Sequence, residues 1–242
     1  PADYSFPHNN FNHVILCVPL KNDTTWLECT SNTQLFGSLG VFTENRNALL
    51  ITDDGGKLVR TPRSTARENQ FDSETHIVLD ADGGAKTQVK ILSTGEYRDM
   101  FVGMATIKTD DQKQFLLHEL HIKQPSVFDF TSGTDINGVK EVNLTLEYDK
   151  FCDVMTGDKE FYRPLAFSLW AASVPILEKR KTDYYFDCPV QKSCVTTIDL
   201  PAGFEVETLP SNTNLKFTYG NYEINYVYNK DKNQVISTAK FI

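Results

Sequence analysis

Apolar and polar residues alternate with period two through much of this chain, the pattern of strands that bury one face. Residues 11–20 and 25–30 read as a strand pair. Residues 47–52 and 57–60 flank Asp53-Asp54-Gly55-Gly56, and residues 75–79 and 86–92 flank Asp80-Ala81-Asp82-Gly83-Gly84. Both read as hairpins, because glycine supplies the positive φ that tight strand connections need. The period changes at 95–105, where Tyr97, Met100, Phe101 and Met104 recur at helical spacing. Thr109-Asp110-Asp111-Gln112 then reads as an N-cap with an acidic first turn, ahead of Phe115, Leu116 and Leu120. Pro125 ends the helical reading, and strand patterns return at 127–131, 139–148, 165–167, 181–186, 193–199, 204–209, 215–219, 222–228 and 234–241.

Between the two hairpins, residues 61–69 are polar and without periodicity, which places the main domain boundary there. The expected division is residues 1–68 and residues 69–242. Many short strands joined by glycine and proline turns imply a mainly β (α+β) protein, its larger part a β-sandwich domain with one or two short helices.

Composition narrows the function. A formal charge of −8 over 242 residues, with no basic run longer than Lys179-Arg180-Lys181, argues against DNA or RNA as the partner. No apolar stretch approaches the roughly 18–20 residues that a membrane-spanning helix needs. The chain opens Pro1-Ala2-Asp3 rather than with methionine, so upstream sequence is expected. Of the five cysteines, Cys188 and Cys194 flank a short loop and read as two buried thiols rather than a disulfide. There is no CxxC pair, no HExxH and no glycine-rich phosphate loop, so no metal and no cofactor is expected.

One polar pair interrupts the first strand pair. If the hairpin aligns residues whose numbers sum to 41, His13 lies opposite Glu28, Ile15 opposite Trp26 and Cys17 opposite Thr24. One face then carries His13, Ile15, Cys17, Trp26 and Glu28; the other carries Val14, Leu16, Val18, Thr25 and Leu27 and is the expected core face. An imidazole beside a carboxylate is the supporting half of a cysteine nucleophile site, in which the acid fixes the histidine and the histidine holds the thiolate. The alternative is a surface histidine that merely neighbours a glutamate. A register slip of one residue would place the two on opposite faces.

Phe11-Asn12-His13-Val14-Ile15, then Trp26-Leu27-Glu28-Cys29-Thr30-Ser31, Phe36-Gly37 and Asn45-Arg46-Asn47-Ala48-Leu49-Leu50-Ile51, resemble the C-terminal part of a bacterial transglutaminase-like core. That core belongs to the papain-related cysteine acyltransferases and peptidases. Ile198-Asp199-Leu200-Pro201-Ala202-Gly203-Phe204 and Val206-Glu207-Thr208-Leu209-Pro210 resemble the β-rich domain of unknown function that follows such cores. Under this resemblance residues 1–68 are the remnant of a transglutaminase-like sheet, His13 matches the catalytic histidine, and Glu28 stands where the family usually has aspartate.

The family order places the nucleophilic cysteine upstream of the histidine, and no cysteine precedes His13. Cys17 would lie roughly 13 Å along an extended strand from His13, and Cys29 would face the other way. The resemblance therefore implies a fragment, inactive alone, of an enzyme acting on protein or peptide amide bonds in the bacterial periplasm or envelope. A fragment of this kind would expose Phe36, Leu39 and Phe42 and could pair with a second copy through that face. The competing reading is a non-catalytic binding or interaction module, a pseudoenzyme that recognises protein or polysaccharide. Tyr162, Trp170, Tyr184, Tyr185, Tyr222, Tyr226 and Tyr228 supply aromatic rings for it, although alternating tyrosines in strands are more simply half-buried sheet residues.

Overall fold

The computed structural model describes residues 11–167 and 185–242. The protein is mainly β, and the described residues form one large mixed sheet, three small ribbons and two helices. Two small antiparallel ribbons come first: β1 (Leu16–Pro19) with β2 (Thr24–Leu27), and β3 (Asn47–Thr52) with β4 (Gly55–Arg60). β5 (Gln70–Leu79) and β6 (Ala85–Ser93) follow, then α1 (Gly95–Met104) and α2 (Thr109–Leu120). β7 (Val127–Thr134) and β8 (Lys140–Tyr148) return to the sheet, β9 (Val154–Thr156) and β10 (Lys159–Phe161) form a third ribbon, and β11 (Gln191–Asp199), β12 (Thr213–Phe217), β13 (Gly220–Asn229) and β14 (Gln234–Phe241) complete the chain.

The eight long strands lie in the order β12-β13-β14-β11-β5-β6-β8-β7. Every pairing is antiparallel except β5 with β11, which run parallel at the centre. Strict alternation explains why the sheet has one buried face. In β5 the residues Phe71, Ser73, Thr75, Ile77 and Leu79 are buried, whereas the residues between them point to solvent. β6 repeats the pattern with Ala85, Thr87, Val89 and Ile91, and β8 with Val142, Leu144, Leu146 and Tyr148. Facing them are Phe101 and Met104 of α1 and Leu116 and Leu120 of α2, each helix contributing one apolar stripe. The layer that a sandwich would make from strands is thus made, among the described residues, by two helices and by loop segments.

Two of those segments look like strands in sequence and are not. Residues 165–167 and 204–209 carry alternating apolar side chains, and Leu165, Phe167, Val206 and Leu209 do pack on the core. Their backbones join no sheet: Pro164, Pro201 and Pro210 punctuate them. Ser237 Oγ donates instead to the Pro164 carbonyl, and the Ala166 amide donates to Thr196 Oγ1 at 3.3 Å, so this strap is pinned across the sheet face. Of the strand expected at 181–186, residues 181–184 lie outside the described residues, and 185–186 are not in a strand. The second helix begins at Thr109 itself, with Lys108 in the capping position and no side-chain cap bond. β9 and β10 were not anticipated; each has three residues, too few to show a period.

The core and the first ribbons differ in kind. Among the described residues every buried apolar side chain lies between Phe71 and Phe241, and the buried residues before that are Thr43, Glu44, Thr61 and Asn69, all polar. They form a connected network. The Glu44 carboxylate accepts from the Ser64 amide at 3.1 Å and hydroxyl at 2.8 Å. Thr61 Oγ1 donates to the Thr43 carbonyl at 2.7 Å. Asn69 Nδ2 donates to Ser64 Oγ at 2.7 Å and to the Pro189 carbonyl at 3.0 Å, while its Oδ1 accepts from the Glu96 amide at 3.0 Å. Gly95 sits against this junction at φ 54°; a Cβ there would lie 2.1 Å from Asn69 Oδ1 and 2.4 Å from the Glu68 carbonyl, so only glycine fits. Arg98 of α1 adds a second tie, donating to the Thr33 and Gly138 carbonyls at 2.9 Å each.

Candidate functional site

His13 and Glu28 meet. His13 Nε2 lies 3.0 Å from both carboxylate oxygens of Glu28, so the ring N–H is shared between them. The route differs from the expected one. In the ladder Leu16 pairs with Leu27, Cys17 with Trp26 and Pro19 with Thr24, so partner numbers sum to 43 rather than 41. Cys17 is therefore opposite Trp26 and not Thr24. A shift of two leaves every side chain on its original face, because the side-chain period is also two. His13 and Glu28 consequently approach along a diagonal just beyond the last ladder pair. A diagonal is longer than a direct pairing, and the extra methylene of glutamate supplies the reach.

The strands are also shorter than the pattern implies, and His13 and Glu28 both lie outside them. The expected core face is not a core. Val14 is 81% exposed and Leu16 is exposed, because the loop carrying Phe42 folds against the histidine side instead. The Phe42 ring meets the His13 imidazole edge-on, with centroids 5.2 Å apart. Phe36 is 86% exposed and Phe42 57% exposed even with that contact, while Leu39 is half-buried.

Two residues join the pair that the pattern did not single out. Thr30 donates twice to Glu28 Oε1, from its hydroxyl at 2.7 Å and its amide at 3.0 Å, and Phe42 braces the ring. The signal for Thr30 is its place two residues after Glu28, the spacing of a local side-chain-to-backbone turn. Burial raises the Glu28 pKa, but the hydrogen bonds from Thr30 and then from His13 outweigh it. The carboxyl is held below its ordinary value. Glu28 is thus an anion throughout the neutral range, as a group that orients imidazole must be.

No hydrogen bond joins a cysteine to His13 among the described residues. Cys29 is exposed, with its thiol directed at the Leu27 carbonyl at 3.6 Å, and Cys17 lies within β1. All five cysteines are free thiols. Cys188 and Cys194 are buried, and burial first of all pushes each thiol up to about 11, the wrong direction for a nucleophile. Among the described residues no group of three or more His, Cys, Asp and Glu side chains is arranged to hold a metal ion, and no helix is long and apolar enough to cross a membrane. Of the aromatic rings named from sequence, Tyr162, Tyr222, Tyr226 and Tyr228 are half-buried against the core and Tyr185 is exposed. Trp170 and Tyr184 lie outside the described residues.

Comparison with known proteins bears on the second half of the chain. The family model of a domain of unknown function, DUF3858, matches residues 158–241. That span holds β10 to β14, which includes half of the eight-stranded sheet; β5 to β8 and both helices lie before it. No curated protein and no solved structure matches the chain.

Proposed function

We propose that His13 and Glu28 are the histidine–acid half of a cysteine-dependent acyl-transfer or peptidase centre of the transglutaminase-like type. The thiol comes from outside the described residues, and the β-rich domain follows as an accessory. The observation that carries this reading is the way Glu28 engages the ring. Both carboxylate oxygens take Nε2, and Nδ1 has no hydrogen bond among the described residues. Nδ1 is then the nitrogen that receives the thiol proton. The thiolate adds to an amide carbonyl, forming a C–S bond; the C–N bond breaks, and the imidazolium returns the proton to the departing amine. Water or a second amine resolves the thioester. The substrate is a protein or peptide amide, and the resemblance implies action in the bacterial periplasm or envelope.

The test uses the complete open reading frame. Alkylation of its thiols by iodoacetamide is followed against pH for the wild type, His13→Ala and Glu28→Gln. A thiol that reacts well below the ordinary cysteine pKa, and slows by at least about tenfold in His13→Ala, supports the reading. Ordinary thiol reactivity, unchanged by His13→Ala, removes it. The second reading, a non-catalytic binding or interaction module, is favoured by the absence of any thiol hydrogen-bonded to His13 among the described residues, and that negative outcome would leave it standing.

A further inference from the structure

A cavity of about 360 Å³, lined by no residue before Ile77, opens on the buried face of the sheet. Its floor is Ile77, Thr87, Val89 and Leu146 from the three neighbouring strands β5, β6 and β8. The strap at Leu165 closes one side, and Ile122 beyond the end of α2 closes another. This volume lies within the range of small-molecule sites, and an apolar floor with few polar groups is their usual composition.

Two polar features distinguish it from a packing defect. Thr87 is 5% exposed, and its hydroxyl has no hydrogen-bond partner. A buried hydroxyl without a partner carries an unrelieved desolvation cost, so the floor is not a uniformly apolar packing surface. The second feature is the mouth, where Lys123 and Arg163 share one carboxylate. Lys123 Nζ lies 2.7 Å from Asp153 Oδ1, and Arg163 Nε lies 3.7 Å from Asp153 Oδ2. Lys123 also donates to the Phe151 carbonyl at 2.5 Å, which leaves one of its three donors unused. Arg163 is mostly exposed and keeps most of its donors. Two cations against one anion leave the mouth with one unbalanced positive charge.

We infer that this cavity binds a small amphipathic monocarboxylate. Its aromatic or branched aliphatic body rests on Ile77, Val89 and Leu146, and its carboxylate meets Lys123 and Arg163 at the mouth. The site is independent of the proposed role of His13.

Phenylpropionate and its neutral amide are the probes, with binding to the full chain followed by calorimetry and by methyl NMR. Phenylpropionate should bind at least about fivefold more tightly than phenylpropionamide, as charge-assisted hydrogen bonds require. It should also shift the methyl signals of Ile77, Val89 and Leu146. Lys123→Gln combined with Arg163→Gln changes only the rim and should bring the ratio of the two affinities to about one. Val89→Phe, which fills the cavity, should abolish binding. Equal affinity for acid and amide in the wild type overturns the proposal. So does an absence of binding, or binding that the rim variant leaves untouched.

Discussion

The two halves of this molecule are held by different forces. From Phe71 onward, apolar side chains from a continuous sheet and two helices exclude water from one face. Before it, two short ribbons bury no large apolar residue among those described; Glu44 and Thr61 tie that part together, and Asn69 and Arg98 join it to the larger part. Burial is cumulative and tolerant of detail, whereas a hydrogen-bonded junction depends on each partner being in place. The candidate chemistry sits on the weaker half. His13 and Glu28 are held by a four-pair ladder, one aromatic edge and Thr30, and a partly buried pair at the end of so short a ladder contributes about 1 kcal/mol or less to folding.

The largest effect should come from emptying the core. Phe101 is fully buried between α1 and the sheet, so Phe101→Ala should lower the unfolding free energy by about 3–5 kcal/mol. Phe36→Ala, at a ring that is almost wholly exposed, should stay within about 0.5 kcal/mol. Urea denaturation of the two variants reads the difference directly; comparable losses would show that the ribbons share the core after all. Next in size is the junction. Gly95→Ala places a methyl on Asn69 Oδ1 and the Glu68 carbonyl in a left-handed conformation, and should cost about 2–4 kcal/mol in the same assay. A neutral result would mean the junction yields freely.

The smallest effect is local. Glu28 has a folded pKa below its unfolded value, so its contribution to stability is present above the ordinary carboxylate range and is lost as pH falls through the folded value. Thr30→Val removes the hydroxyl that donates at 2.7 Å, and the Glu28 carboxyl signal in a carbon-13 NMR titration should move to higher pH with little change in global stability. An unmoved titration would assign the shift to His13 and the Thr30 amide instead.

Much of the larger half was legible because a single face of each strand is buried. β6, β8 and β14 alternate without exception and the period-two pattern located them, and the 3.6 period located α1 and α2; of β5, which alternates as strictly, the reading took in only residues 75–79, because Gln70, Asp72 and Ser73 give its first half a polar look. The same pattern misled at 204–209, where Val206 and Leu209 reach the core from positions three apart and the backbone is in no strand. Pattern reports which side chains are buried, not where the backbone hydrogen bonds go. That also explains the ribbon register. A slip of two residues moves no side chain across the sheet, so the face shared by His13 and Glu28 could be read while the partner of Cys17 could not. Thr30, Phe42 and the pairing of β5 with β11 depend on contacts distant in sequence or on loop conformation, and neither leaves a periodic trace.

The parallel pairing at the centre of the sheet has a consequence for how the chain comes to be folded. β5-β6-β8-β7 and β11-β14-β13-β12 are each fully antiparallel groups, and the β5–β11 register from Gln70 with Gln191 to Val78 with Asp199 is the one seam between them. The first group can assemble as it leaves the ribosome, but β5 must keep an open edge until β11 has been synthesised. Such non-local closure is slow and leaves strand edges available to other chains in the interval. A newly made molecule stalled before Gln191 would therefore present a half-sheet whose β5 edge, covered in the finished sheet, lies open beside the permanent β7 edge, and chaperone capture or misassembly between nascent copies would act there.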